Sequence, residues 1–180
     1  MSSAGTHRTA GLLEARGLGI ESRIGGEPRT IVTGLDLSLA AGETVGIVGE
    51  SGSGKSMTTR ALVGLLPSGL SASGEVWLED RNLLDLSQRE LGRIRGSEIA
   101  LLLQDPFTML NPVTRCGDQI ADGLAEGRGW RRGRRARREE AARHLAEVGM
   151  ADAVDRYPFE LSGGMRQRVA IAAALAGDPR

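Results

Sequence analysis

The sequence predicts an α/β fold with a helical insert, and three observations carry that expectation. Residues 44–48 (TVGIV) are apolar on both faces and run straight into a glycine-rich loop, residues 49–56 (GESGSGKS), and then into a helix-patterned stretch. A second run of the same texture, residues 99–103 (IALLL), follows later. Beyond it, residues 115–160 contain no strand-like run and read as two or three helices. Runs apolar on both faces suit buried parallel strands covered by helices, and the helix-only stretch marks an insert after the second of them.

Composition bounds what such a chain can be. With 180 residues, 40% of them apolar and 26% charged, it is long enough for one core and belongs to the globular class. A formal net charge of zero gives no general attraction to nucleic acid or anionic lipid. The single cysteine, Cys116, excludes an internal disulfide framework and fits a reducing compartment, where it reads as a small packing residue. The opening residues 1–10 lack a signal-peptide core and read as a disordered leader. No apolar stretch is long enough to span a bilayer.

Taken in order, residues 12–40 form two antiparallel strands with a turn near Gly25, Gly26, Glu27 and Pro28. The helix after the loop places Met57, Ala61, Leu62, Leu65 and Leu66 on one face and ends at Pro67. Residues 73–84 give a strand, a turn and a short strand, and residues 87–95 a capped short helix. The last helix runs over about 164–176. This organises the chain as a β subdomain and loop-bearing core over 11–104, a helical insert over 105–165 and a final helix within 162–180.

Lys55 is the only lysine; the other 22 basic residues under Lys+Arg are arginines. It stands in a GxxxxGK[ST] pattern between a buried run and a helix, which is the P-loop arrangement. Glycines let successive backbone N–H groups turn inward around a phosphate, and the helix adds its positive N-terminal end. An ammonium fits such a cradle as a compact point charge where a planar guanidinium does not. Lys55 therefore reaches the β- and γ-phosphates, and the Ser56 hydroxyl is a Mg²⁺ ligand. A second glycine pair opens the last helix at Leu161, Ser162, Gly163 and Gly164. It reads either as a serine cap with a loose first turn or as a second anion site with bare backbone.

LSGGMRQRV resembles the signature motif of ATP-binding cassette (ABC) ATPases, and Gln104, before Asp105 and Pro106, sits where their Q-loop glutamine lies. The order P-loop, glutamine, signature is that family's order, and the resemblance covers roughly residues 12–180. QDPFTMLNPV and YPFELSGGMRQRVAIA look like the ATP-binding subunits of oligopeptide, dipeptide and nickel importers. The resemblance implies a P-loop nucleotide triphosphatase core of ABC type, with ATP and Mg²⁺ as cofactors. By it, Gly49, Glu50, Ser51, Gly52, Ser53, Gly54, Lys55, Ser56 and Met57 contact one ATP. Ser162, Gly163 and Gly164 contact the γ-phosphate of the ATP on a second ABC ATPase domain, identical or different. Gln104 touches Mg²⁺ and the attacking water as the catalytic-site residue.

The implied partners are that second domain, transmembrane permease subunits and, indirectly, an extracytoplasmic solute-binding protein, with no nucleic acid. The implied place is peripheral, on the cytoplasmic face of a bacterial-type membrane. Two departures stand out. The family's adenine-stacking aromatic has no counterpart among Ile20, Glu21, Ser22, Arg23 and Ile24. The Walker B aspartate strand, catalytic glutamate and switch histidine of the family all fall beyond Arg180. On that ground the 180-residue chain is expected to fold weakly, bind nucleotide poorly and not turn over ATP alone. Competing readings are a non-catalytic fragment and a nucleic-acid- or translation-associated ABC ATPase. The arginine-rich run over 128–138 reads as a solvated face balanced by Glu139, Glu140 and Glu147. Tyr157 and Phe159 read as anchors of the insert against the signature loop.

Overall fold

A computed structural model of the chain describes residues 11–105, 108–127 and 133–179. The expected leader, Pro106, Phe107 and the arginines at 128–132 lie outside these described residues. The chain divides into two compact units between Leu86 and Ser87.

The first unit is built on a four-stranded antiparallel sheet in the order β2-β1-β3-β4. Strands β1 (Leu13–Ser22) and β2 (Arg29–Leu39) form the expected hairpin, and β3 (Leu70–Leu78) pairs with the other side of β1. The two-residue β4 (Arg81–Asn82) closes the edge. Along β1 the buried side chains are Leu13, Ala15, Leu18 and Ile20, so the alternation slips by one residue between Ala15 and Leu18. The register breaks at the same place, and the Gly17 N–H leaves the ladder to donate to the Asp36 carboxylate at 2.7 Å. A β-bulge there keeps one face of the strand apolar across the break. Val76 and Leu78 of β3 and Leu83 complete this core.

Helix α1 (Lys55–Leu62) buries Thr58, Ala61 and Leu62 and is shorter than its apolar pattern predicts. Gly64, at φ 65°, takes the left-handed conformation that ends it. The Gly64 N–H donates to Ala61 O at 3.0 Å and the Leu65 N–H to Arg60 O at 2.7 Å. That pair of bonds is a Schellman stop, so the helix closes before Pro67 is reached, and Leu65 lies exposed rather than on a buried face.

The two expected parallel strands are corrected by the structure. Neither residues 44–48 nor residues 99–103 are strand. Val48 is 91% exposed and Leu102 46% exposed. Ile99 makes one isolated bridge to Arg95. A strand is defined by its hydrogen-bonded neighbours, and a parallel strand needs one on each side and cover on both faces. The apolar texture of these runs is suited to that environment, but among the described residues the ladder itself is absent.

The second unit is helical. Helix α2 (Gln88–Ile94) starts with a full capping box: Ser87 Oγ accepts the Glu90 N–H at 3.3 Å, and the Glu90 carboxylate accepts the Ser87 N–H at 2.8 Å. Helices α3 (Cys116–Gly127), α4 (Arg134–Glu147) and α5 (Gly163–Leu175) pack around one core. Its side chains recur at helical spacing: Cys116, Ile120 and Leu124; Ala141 and Leu145; Val169, Ala172 and Ala176. Burial of each large aliphatic chain contributes about 1.5–3 kcal/mol. Cys116 is wholly buried here, as its packing role predicts. Leu161, just before the second glycine pair, is buried in the same core.

Three of the four described arginines of the arginine-rich run meet carboxylates: Arg134 and Arg138 meet Asp118, Arg138 also meets Asp155, and Arg135 meets Glu139. Of the other expected partners, Glu140 meets Arg143 and Glu147 faces His144, both outside the run. These pairs are largely solvent-exposed and supply little stability each.

Candidate functional site

The glycine-rich loop is set against the edge of the sheet at Gly54. A Cβ built on Gly54 would stand 2.9 Å from Val32 Cγ2 and 3.2 Å from the Ile31 carbonyl oxygen, with φ at 90°. Only glycine allows both the left-handed backbone and that approach. The Thr58 N–H closes the first helical bond on Gly54 O at 2.8 Å, and Thr58 Oγ1 doubles it at 3.2 Å. Thr58 is the buried polar residue that fixes the loop's exit.

Lys55 folds back over the loop. Its Nζ donates to Gly49 O at 2.9 Å, to Glu50 O at 2.6 Å and to Ser53 Oγ at 3.5 Å. The Ser53 N–H closes the turn on Glu50 O at 3.2 Å. Its partners are thus neutral oxygens of the loop itself, two carbonyls and a hydroxyl. They hold the ammonium in place without neutralising it, which leaves a positive charge at the helix start.

The helix start is itself positive and bare. Gly54 caps α1 without a side-chain bond, and the first turn of α1 carries no acid. The first turn of α5 carries none either, whereas α2 and α3 hold Glu90 and Asp118 there. Helix α4 also lacks one, but its first turn is arginine, the opposite sign to what a helix N-terminus attracts. Uncapped N–H groups beside a fixed ammonium suit an anion such as a phosphate. The residues present therefore fit a nucleotide's phosphates, with exposed Ser56 one position into the helix.

The signature residues lie in the second unit. Ser162 caps α5, its Oγ accepting the Met165 N–H at 3.4 Å. Gly163 and Gly164 form the first turn, and a Cβ on either would meet nothing within 4 Å. The turn before them is tightly stitched. Glu160 accepts the Tyr157 N–H at 2.6 Å, and Arg166 Nε donates to Pro158 O at 2.6 Å.

Of the two expected anchors, Tyr157 is half-buried under Arg115, just before α3, and the Phe159 ring stacks on it at 5.5 Å but is 67% exposed. Leu161 enters the core. Gln104 lies exposed at a bend, as a loop residue before Asp105. Further along, Thr108 Oγ1 donates to Asp105 O at 2.8 Å.

Two residues that the sequence reading passed over shape these loops. Gln119 of α3 accepts the Asn111 N–H at 2.8 Å and donates to Asn111 O at 3.0 Å and Thr114 O at 2.7 Å. One side-chain amide thus fixes the whole 111–114 turn. Arg166 does the same for the Pro158 turn. No sequence signal marked either residue, because their partners are backbone carbonyls. Among the described residues no group of three or more His, Cys, Asp or Glu gathers to hold a metal.

These two glycine-opened helices in an α/β chain define a phosphate-binding cassette. The model of the ABC transporter family matches residues 32–180, and the chain belongs to that family. It is 40% identical over 178 residues to the oligopeptide transport ATP-binding protein OppD of Bacillus subtilis, covering 96% of this chain and 49% of that protein. It is 44% identical over 171 residues to the OppD of Mycobacterium tuberculosis, covering 93% of this chain and 28% of that one. The chain thus spans about half or less of the curated relatives it matches. Among solved structures it resembles the dimeric ATP-binding cassette MJ0796, bound to ADP and Pi, at a TM-score of 0.80 and 30% identity. That match covers 93% of this chain and 70% of MJ0796.

Proposed function

We propose that this chain is the nucleotide-binding part of an energising subunit of an ABC importer for peptides or a related small solute. The observation that carries the reading is Lys55, held by loop carbonyls at the uncapped start of α1. In this reading Gly49 to Met57 hold the phosphates of ATP, with Lys55 opposite the terminal ones and the Ser56 hydroxyl offering an oxygen to Mg²⁺. ATP supplies a transferable γ-phosphoryl group, whose charge the ion and Lys55 balance. Ser162, Gly163 and Gly164 offer a second helix start to the ATP of a partner cassette. That division of roles explains why both glycine-opened helices lack a first-turn acid.

The partners in this reading are a second cassette and membrane permeases, and the subunit sits peripherally on the cytoplasmic face. It is supported by the relatives named for oligopeptide transport and by the dimeric cassette it resembles. It also accords with the finding that no described helix is long and apolar enough to cross a membrane. The test is uptake of a labelled tripeptide in the source cells. Deleting the gene abolishes uptake, the wild-type gene restores it, and Lys55→Ala and Gly163→Asp do not. Uptake that survives deletion, or that Lys55→Ala restores, refutes the reading.

A further inference from the structure

We propose that Arg166 is a positioning residue for the start of α5: its guanidinium clamps the turn that presents Ser162, Gly163 and Gly164. The inference rests on the reading of those three residues as phosphate contacts, and it names what holds them in place.

The need for a clamp follows from the glycines. Glycine is a poor helix former, so a first turn of two glycines is prone to fray. Neither has a neighbour to lean on, since a Cβ on either would meet nothing within 4 Å. The Ser162 cap is long, at 3.4 Å. Bare backbone is what close approach of an anion requires, so stiffness has to come from elsewhere.

It comes from behind. Arg166, one turn into α5, donates from Nε to Pro158 O at 2.6 Å and from its second nitrogen to Phe159 O at 3.5 Å. The Leu161 N–H donates to the same Pro158 carbonyl at 3.2 Å, and the Glu160 carboxylate ties the turn at the Tyr157 N–H. The guanidinium is a planar fork fixed chiefly by its short Nε bond to Pro158 O, with Phe159 O at the outer limit of its second nitrogen, and a lysine there keeps a charge but loses the fork. With Leu161 buried below, the turn and the helix start become one rigid piece. The bonds from Nε and from the second nitrogen both go to the turn, so Arg166 acts through it.

The test compares Arg166→Gln and Arg166→Lys with the wild-type full-length chain by amide hydrogen exchange, read peptide by peptide without nucleotide. Exchange over 158–165 is expected to rise about tenfold or more in Arg166→Gln, with Arg166→Lys between it and the wild type. Exchange over α3 and α4, and binding of a fluorescent ATP analogue at the Lys55 loop, stay unchanged. Where Arg166→Gln does not fold, Arg166→Lys against wild type carries the comparison. Equal exchange over 158–165 in wild type and Arg166→Lys, or a rise spread evenly over α3 to α5, overturns the proposal. The readout is independent of the assigned function. Local loosening alongside unimpaired tripeptide uptake by a Gly163→Asp gene would uphold the clamp and refute the phosphate role.

Discussion

Replacing Gly54 by alanine probes how the phosphate loop is seated on the sheet, and its cost can be worked out in two parts. The first is backbone: a Cβ in the left-handed region costs about 1–2 kcal/mol. The second is steric. Carbon atoms in contact prefer roughly 3.5–4.0 Å, whereas the new Cβ would lie 2.9 Å from Val32 Cγ2 and 3.2 Å from Ile31 O. Val32 can yield by a small rotation, but the carbonyl of Ile31 is strand backbone. Overpacking of this kind costs about 1–3 kcal/mol. Together the substitution is expected to destabilise the first unit by about 2–5 kcal/mol. Gly52 supplies the control, since it shares the positive φ, at 83°, and a Cβ there would meet nothing within 4 Å. Gly52→Ala therefore carries the backbone part alone, about 1–2 kcal/mol.

The assay is urea unfolding followed by emission of Trp77, which lies on β3 of this unit, in a Trp130→Phe background. At a slope of about 2 kcal/mol per molar urea, the midpoint of Gly54→Ala falls about 0.5–1.5 M below that of Gly52→Ala. A Gly52→Ala midpoint equal to or lower than that of Gly54→Ala refutes the close packing of the loop on β2.

Two further outcomes concern the helical unit. Burial pushes the Cys116 thiol above its ordinary value, so a disulfide reagent at neutral pH labels the native chain only as fast as it opens, and labels it at once in urea. Rapid stoichiometric labelling of the native chain would contradict the packing of α3. The hydrogen bonds from the Ser87 hydroxyl and then the Ser87 N–H lower the Glu90 carboxyl below its ordinary value. A carboxylate lowered on folding stabilises above its unfolded value, and that stabilisation is lost as pH falls through the folded one. The urea midpoint of wild type relative to Glu90→Gln is thus constant near neutrality and declines below about pH 4. A difference that grows on acidification would contradict the capping box.

What could be read from the sequence was local chemistry, and what could not was partnership. The loop with Lys55 is specified within one eight-residue stretch, and the Ser87 cap with Glu90 and the helix opened by Ser162 within four residues each. The hairpin was legible because its turn glycines separate two alternating runs. Residues 44–48 and 99–103 are different: their composition states an environment, while a strand needs neighbours that composition does not name. Helix α1 ended early because Gly64 acts as a stop, although the apolar pattern continues past it to Leu66. The clamps by Gln119 and Arg166 were illegible for a related reason. Each side chain bonds to backbone carbonyls, which every residue possesses, so no partner identity marks them.

The central claim is that Lys55 and the start of α1 hold nucleotide phosphates, and a direct titration tests it. A fluorescent ATP analogue with Mg²⁺ is titrated into the wild-type chain, Lys55→Ala and Lys55→Arg, each first checked for unchanged far-UV circular dichroism. The account predicts weak but saturable binding to wild type that unlabelled ATP displaces, in line with the poor binding expected of the chain alone. Removing a charged hydrogen-bond donor worth about 1.5–3 kcal/mol weakens it roughly tenfold to 150-fold in Lys55→Ala. Lys55→Arg fails to restore it, because a planar fork does not fit over the loop carbonyls. Equal affinity in all three proteins, or no displaceable binding to the wild-type chain, would contradict the account.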